Sequence, residues 1–227
     1  MLAYSISSSA IKSNIFIPKY YDPNLKSKIM GLSETHELLV IGNLIDNKII
    51  SVQTGHEIGK MAYGTGNIPF VRTSDITNWE IKTIPKQGVS EEIYQLYAEK
   101  EDVQAGDILL VRDGTYLVGT SCIITESDKK ILYCGGLIKI RINNMDLINP
   151  YLFLGLLNSY IVKRQIRTKQ FTRDVIDTLG QRFKEVIIPV PKSKKLRSAI
   201  TEIICAIVNN RIEGRNVITE LSSDMSR

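Results

Sequence analysis

Twice in this chain a tight turn leads into a short apolar strand that ends on an arginine set among small hydrogen-bonding residues. No other feature limits the fold as strongly. The first copy is Lys60-Met61-Ala62-Tyr63-Gly64-Thr65-Gly66-Asn67 flowing into Ile68-Pro69-Phe70-Val71-Arg72-Thr73-Ser74-Asp75-Ile76. The second is Gly106-Asp107-Ile108-Leu109-Leu110-Val111-Arg112-Asp113-Gly114-Thr115. Glycines and prolines punctuate the runs, and the β-branched and apolar residues between them favour strands. A guanidinium and several hydroxyls projected from a rigid sheet edge suit the reading of a polar surface better than bond chemistry.

The other elements follow from periodicity and caps. An extended arm or strand covers 14–23 and is ended by proline turns; a weak helical stretch covers 35–41, and a strand covers 45–53. Ser90 with Glu91 and Glu92 caps a helix running to Lys100. Apolar runs over 116–125 and 131–142 form a β-hairpin across the polar stretch 126–130. Asn149 and Pro150 start a helix that reaches Ile166, and a short strand spans 186–190. This pattern describes a mixed, sheet-rich α+β domain over 1–191 followed by a helical segment over 192–227.

In that last segment Leu196, Ile200, Ile203, Ile207, Asn210, Gly214, Val217 and Leu221 recur at steps of four and three, the spacing of a coiled-coil seam. A helix over 194–222 would extend roughly 40 Å. It either folds back on the core or protrudes, and the basic, proline-containing linker before it favours protrusion. Leu196, Ile200, Ile203, Ile207, Val217 and Leu221 are then the candidate contacts to a partner or to a second copy.

Charge is segregated along the chain. Eleven Lys or Arg stand against three acids between Lys163 and Arg197, whereas the remainder holds 18 basic and 21 acidic residues. Such an excess is the electrostatic footprint of nucleic-acid binding, and the alternative is a solvated face near a helix end. Cys122, Cys134 and Cys205 show no CxxC spacing and read as buried free thiols of a reducing compartment. His36 and His56 are isolated, so no zinc pattern exists. Neither a secretory leader nor a membrane-spanning run is apparent, which places the protein in the cytoplasm.

Catalytic motifs are absent: there is no nucleophile elbow and no phosphate-binding loop. Asn149-Pro150-Tyr151 is similar to the Asn-Pro-Pro-Tyr/Phe loop of amino-methyltransferases, but the second proline is missing and helix capping explains it better. Asp75, Glu80 and Lys82 could imitate a nuclease metal site, although no second acid pair supports a divalent ion. Trp79 is either a core anchor or a base-stacking ring.

Taken together, Tyr20-Tyr21-Asp22-Pro23, the two turn–strand–arginine units, the stretch from Gln170 to Gln181, Ile187-Ile188-Pro189-Val190-Pro191 and the long helix resemble a target recognition domain of type I restriction-modification specificity (S) subunits. The resemblance implies a non-catalytic module that reads double-stranded DNA. It implies a methyltransferase (M) partner that binds S-adenosylmethionine and methylates adenine, often a restriction (R) subunit, and no cofactor on this chain. Full S subunits carry two recognition domains and two helices, whereas this chain has room for one of each. It therefore resembles a half-subunit, a truncated form, or the recognition part of a fused enzyme. Two copies paired as a homodimer through their helices would read a two-fold symmetric, interrupted site.

Within that frame the cations Lys163, Arg164, Arg167 and Lys169 neutralise phosphates. Base edges are read by Arg72, Thr73 and Ser74 from the first loop, with Lys60 and Tyr63 beside them. Arg112, Thr115 and Tyr116 read from the second loop, and Gln170, Thr172 and Arg173 from the third. A metal-dependent nuclease fragment and a protein-docking adaptor with a basic strip are the competing readings.

Overall fold

A computed structural model of the protein describes residues 4–77, 79–114, 116–173 and 176–224. In chain order, α1 (Pro23–Gly31) precedes β1 (His36–Val40), α2 (Ile41–Asp46) and β2 (Ile50–Thr54). Next come β3 (Ile68–Val71), the short strands β4 (Ile76–Thr77), β5 (Glu80–Ile81) and β6 (Gly88–Val89), and then α3 (Glu91–Glu101). The middle holds β7 (Ile108–Val111), β8 (Asp113–Gly114), β9 (Ser121–Ile123), β10 (Leu132–Tyr133) and β11 (Leu137–Ile142). Helices α4 (Pro150–Leu157) and α5 (Tyr160–Lys169) follow, then β12 (Phe171–Arg173), β13 (Ile176–Thr178), β14 (Ile187–Pro191) and α6 (Lys194–Asp224).

The four-stranded sheet in the order β2-β11-β7-β9 organises the core. All four residues of β7 are buried. Because side chains alternate across a strand, Ile108 and Leu110 enter one apolar cluster and Leu109 and Val111 another. The first cluster is closed by Leu152, Phe153 and Leu157 of α4, Val162 and Ile166 of α5, and Ile188 and Val190 of β14. The second gathers Val71, Cys122, Ile124, Tyr133 and Leu137. A sheet covered on both faces explains why its central strand reads as an unbroken apolar run.

Lys139 of β11 is the exception, a lysine only 4 % exposed. Its ammonium donates to the carbonyls of Glu101 and, at 2.7 Å, of Asp102, and stands 3.8 Å from Asp107. Those oxygens replace the water it has lost.

The mixed α+β class, the caps on α3 and α4 and the long last helix agree with the sequence-based expectations: Ser90 Oγ accepts from Ile93 N, and Asn149 Oδ1 from Tyr151 N. Several elements differ. Residues 36–40 form a strand, not a helix, because β1 pairs antiparallel with β14 from far along the chain; that ladder outweighs a weak local preference. The strand expected over 45–53 begins only at Ile50, after α2 and a turn in which Lys48 takes φ 55°. The expected arm ends in helix α1, since Pro23 occupies its first turn and Asp22 Oδ1 accepts from Asn24 N and Leu25 N.

The expected hairpin over 116–142 does not form. Strands β9 and β11 flank β7 on opposite sides, and β10 pairs in parallel with β3. The helix expected over 149–166 breaks after Leu157, and Ser159 caps a second helix by accepting from Val162 N.

Helix α6, 31 residues and about 46 Å long, does not stand clear of the domain. Ile200, Ile204, Val208 and Ile212 join the main apolar cluster. A Cβ on Gly155 of α4 would lie 3.1 Å from Ile204 Cγ1, so the missing side chain lets the two helices close on each other. Farther along, Arg211 pairs with Glu80 at 3.0 Å and Arg215 with Asp128 at 3.1 Å. The inward stripe has steps of four, whereas the expected seam has steps of four and three, and the two share only Ile200. Leu196, Ile203, Val217 and Leu221 consequently remain exposed, and Ile207 is half-buried.

Candidate nucleic-acid interface

Topology gathers the two arginine-bearing loops. Strands β2 and β7 both run antiparallel to β11, so their C-terminal ends emerge side by side where β11 begins. Strand β3 runs parallel to β10, with Val71 opposite Tyr133, and Cys134 N donates to Val71 O at 3.0 Å. Arg72 therefore leaves its strand beside the Cys134-Gly135-Gly136 link into β11. A Cβ on Gly136 would lie 2.8 Å from Thr73 Cγ2 and 3.7 Å from the Asp113 carbonyl, which puts this glycine between the two loops.

The first loop is built around a buried carboxylate. Asp75 accepts from Arg72 N at 2.9 Å and Lys86 N at 3.3 Å, fixing a single 3-10 turn over Thr73–Asp75. The Arg72 guanidinium stands 6.0 Å from the centre of the Tyr63 ring, which tilts against Phe70. Thr73 and Ser74 are half-buried; Lys60 is exposed and Met61 beside it is 94 % exposed. Asp75 is thus occupied in shaping the loop, and Glu80 is paired with Arg211. Among the described residues no group of three or more His, Cys, Asp or Glu is arranged to hold a metal ion.

In the second loop Arg112 donates from Nε (2.9 Å) and Nη2 (2.5 Å) to Asp113 Oδ2, and from Nη1 to Thr54 Oγ1 at 3.4 Å. Tyr116 is exposed, and Thr115 lies outside the described residues. The third loop joins the second as a sheet: β8 pairs with β13, which pairs with β12. Thr172 is exposed, whereas Gln170 is buried and only 4 % exposed. The Arg173 backbone pairs with Ile176, and its side chain lies outside what is described. Phe171 anchors the hairpin between Tyr20, 5.9 Å away, and the Arg182 guanidinium at 3.9 Å.

Arg164 and Lys169 of α5 lie against the N-terminal arm, and Lys169 leads directly into the third loop. Lys163 and Arg167 are exposed, while Arg164 is 3.4 Å from Asp22. Lys169 lies 3.0 Å from Glu185 and 4.7 Å from the centre of the Tyr20 ring. Burial favours the neutral form of Glu185, but hydrogen bonds from Tyr20 and Lys169 outweigh it and hold this carboxyl below its usual range. Other members of the basic excess serve the fold as well. Arg182 donates to the carbonyls of Lys169 and Thr178, and Lys192 to those of Ser33 and Glu34. Asp113, Thr54, Thr178 and Gly136 belong to the site without a sequence signal of their own, except that Asp113 follows Arg112 in the repeated unit.

Among the described residues no helix is long and apolar enough to cross a membrane. No protein-family model and no curated protein matches the chain. Solved structures do. One comes from work on complex assembly and conformational transition of the type I R-M system, with a TM-score of 0.50 and 15% identity, covering 90% of this chain and 49% of that one. The S subunit of a type I restriction-modification system from M. genitalium aligns with a TM-score of 0.49 and 15% identity over 89% of this chain and 46% of that one. The HsdS subunit from Thermoanaerobacter tengcongensis aligns with a TM-score of 0.47 and 15% identity over 86% of this chain and 46% of that one. The chain thus spans about half the length of the structures it matches, and its fold is that of type I restriction-modification specificity subunits.

Proposed function

We propose that this chain is the DNA-reading component of a type I restriction-modification system, a specificity subunit or half-subunit without catalytic activity of its own. The observation that carries this reading is the gathering of Arg72, Thr73 and Arg112 at one sheet end, joined through β8 to the hairpin that bears Thr172, on a fold shared with such subunits. Sequence is read in the major groove by these loops, and exposed cations such as Lys163 and Arg167 set register on the phosphates. Residues 1–191 act as the recognition domain. The helical segment over 192–227 presents Leu196, Ile203, Val217 and Leu221 to the methyltransferase or to a second copy. S-adenosylmethionine binds to the methyltransferase partner, a restriction subunit joins the assembly, and the work is done in the cytoplasm.

Co-expression with the methyltransferase encoded beside it, followed by mapping of methylated adenines, tests this. The expected result is methylation confined to one interrupted sequence motif. Methylation without sequence preference, or none in the presence of a competent partner, refutes it.

A further inference from the structure

Five N–H groups make the arginine fork, and at Arg112 three of them are already assigned. Asp113 Oδ2 takes Nε–H and one Nη2–H, and Thr54 Oγ1 takes one Nη1–H. Among the described residues, one N–H on each Nη is without a partner. The supporting groups are themselves held. Asp113 Oδ1 accepts from Thr178 Oγ1 at 2.5 Å, and the amides of Arg112 and Asp113 both donate to Gly136 O, at 2.9 and 3.1 Å. The Arg112 carbonyl accepts from Leu179 N at 3.1 Å. Backbone and side chain are therefore fixed from three directions, by the end of β2, the link into β11 and the β13 strand.

We infer that Arg112 is a preset guanine-reading fork and that Asp113 is its positioning residue. The inference rests on the DNA-reading function proposed above and names the chemistry that one of its loops recognises. The two Nη donors left to Arg112 match the paired acceptors O6 and N7 that guanine alone presents in the major groove. Adenine places a donor beside its N7, cytosine offers a donor, and thymine a single acceptor with a methyl group. A phosphate could also accept both donors, but Asp113 cancels the charge of Arg112 and makes the pair a poor grip for an anion. Immobilising the side chain in advance removes the ordering cost that a free arginine meets on binding.

The test uses the full chain with its methyltransferase partner and the DNA motif selected by the wild type. Arg112→Ala and the length-preserving Arg112→Met, which has no donor, should each erase the preference for guanine at one position, with a loss of roughly 5- to 150-fold on the cognate duplex and little change elsewhere in the motif. Asp113→Asn should weaken discrimination at that same position. Replacing that guanine by 7-deazaguanine, which lacks the N7 acceptor, should impair the wild type and leave Arg112→Met unaffected. This last arm on the wild type needs no variant to fold. An equal loss for every sequence would make Arg112 a phosphate contact and overturn the inference, as would a guanine preference retained in Arg112→Met. If Arg112 variants are indifferent while the wild type still selects one motif, only this inference falls. A wild type with no motif sinks the DNA-reading function as well.

Discussion

Glu185 joins three parts of the chain. Its carboxylate receives Tyr20 from the N-terminal arm and Lys169 from the end of α5, and these bonds depress its pKa despite burial. A carboxyl whose folded pKa lies below the unfolded value of about 4.3 stabilises the fold fully above that value, and the contribution disappears as pH falls through the lower, folded one. Denaturant titrations from neutral pH to about pH 3 should therefore show the wild type losing an increment of stability that Glu185→Gln lacks throughout. Parallel curves for the two proteins would contradict this. Asp75 supports a second prediction. Asp75→Ala strands the amides of Arg72 and Lys86, and should cost about 1–3 kcal/mol in chemical denaturation. The sequence displayed Arg72 and Arg112 openly, because an arginine after a strand is visible in the string. It concealed that Lys169 and Arg182 are spent on a neighbouring carboxylate and on carbonyls. A count of charges carries no information about which cations have found partners.

Among the elements, α6 best separates what periodicity reveals from what it cannot. The seam at steps of four and three is present, yet packing against α4 uses Ile200, Ile204, Val208 and Ile212 instead. Both stripes fit one helix, and Gly155 of α4 lies opposite the one that meets the domain. Ile204→Ala should consequently destabilise the isolated chain by about 2–4 kcal/mol, whereas Ile203→Ala, at an exposed site, should stay within about 0.5 kcal/mol. Thermal or denaturant unfolding of the two variants checks the contrast. Helices marked by caps, α3 and α4, were legible because a serine or asparagine before an acidic or proline-led turn acts through neighbours only. Strand β1 was not, since its partner β14 lies at the far end of the sequence. The same limit explains the hairpin that fails to form, where β7 inserts between two runs adjacent in the chain.

As an assembly of elements, the protein is a sheet covered on both faces, with the exits of β2 and β7 turned to one end. The mixed class, the capped helix starts and the long last helix could be read from the chain. The meeting of β8 with the β12–β13 hairpin could not, because pairings of two or three residues leave no periodic trace. Gly136 lies between the two arginine-bearing turns. A methyl group there would lie 2.8 Å from Thr73 Cγ2, so Thr73 would have to shift, whereas Cys134 and Asp113 stand at ordinary contact distance; bare backbone sets how closely the first turn approaches. Side chains around this pivot can be exchanged without moving the pivot itself, much as type is reset in a fixed frame. New preferences can then arise by single replacements at the rim, with the pitch between letters left unchanged.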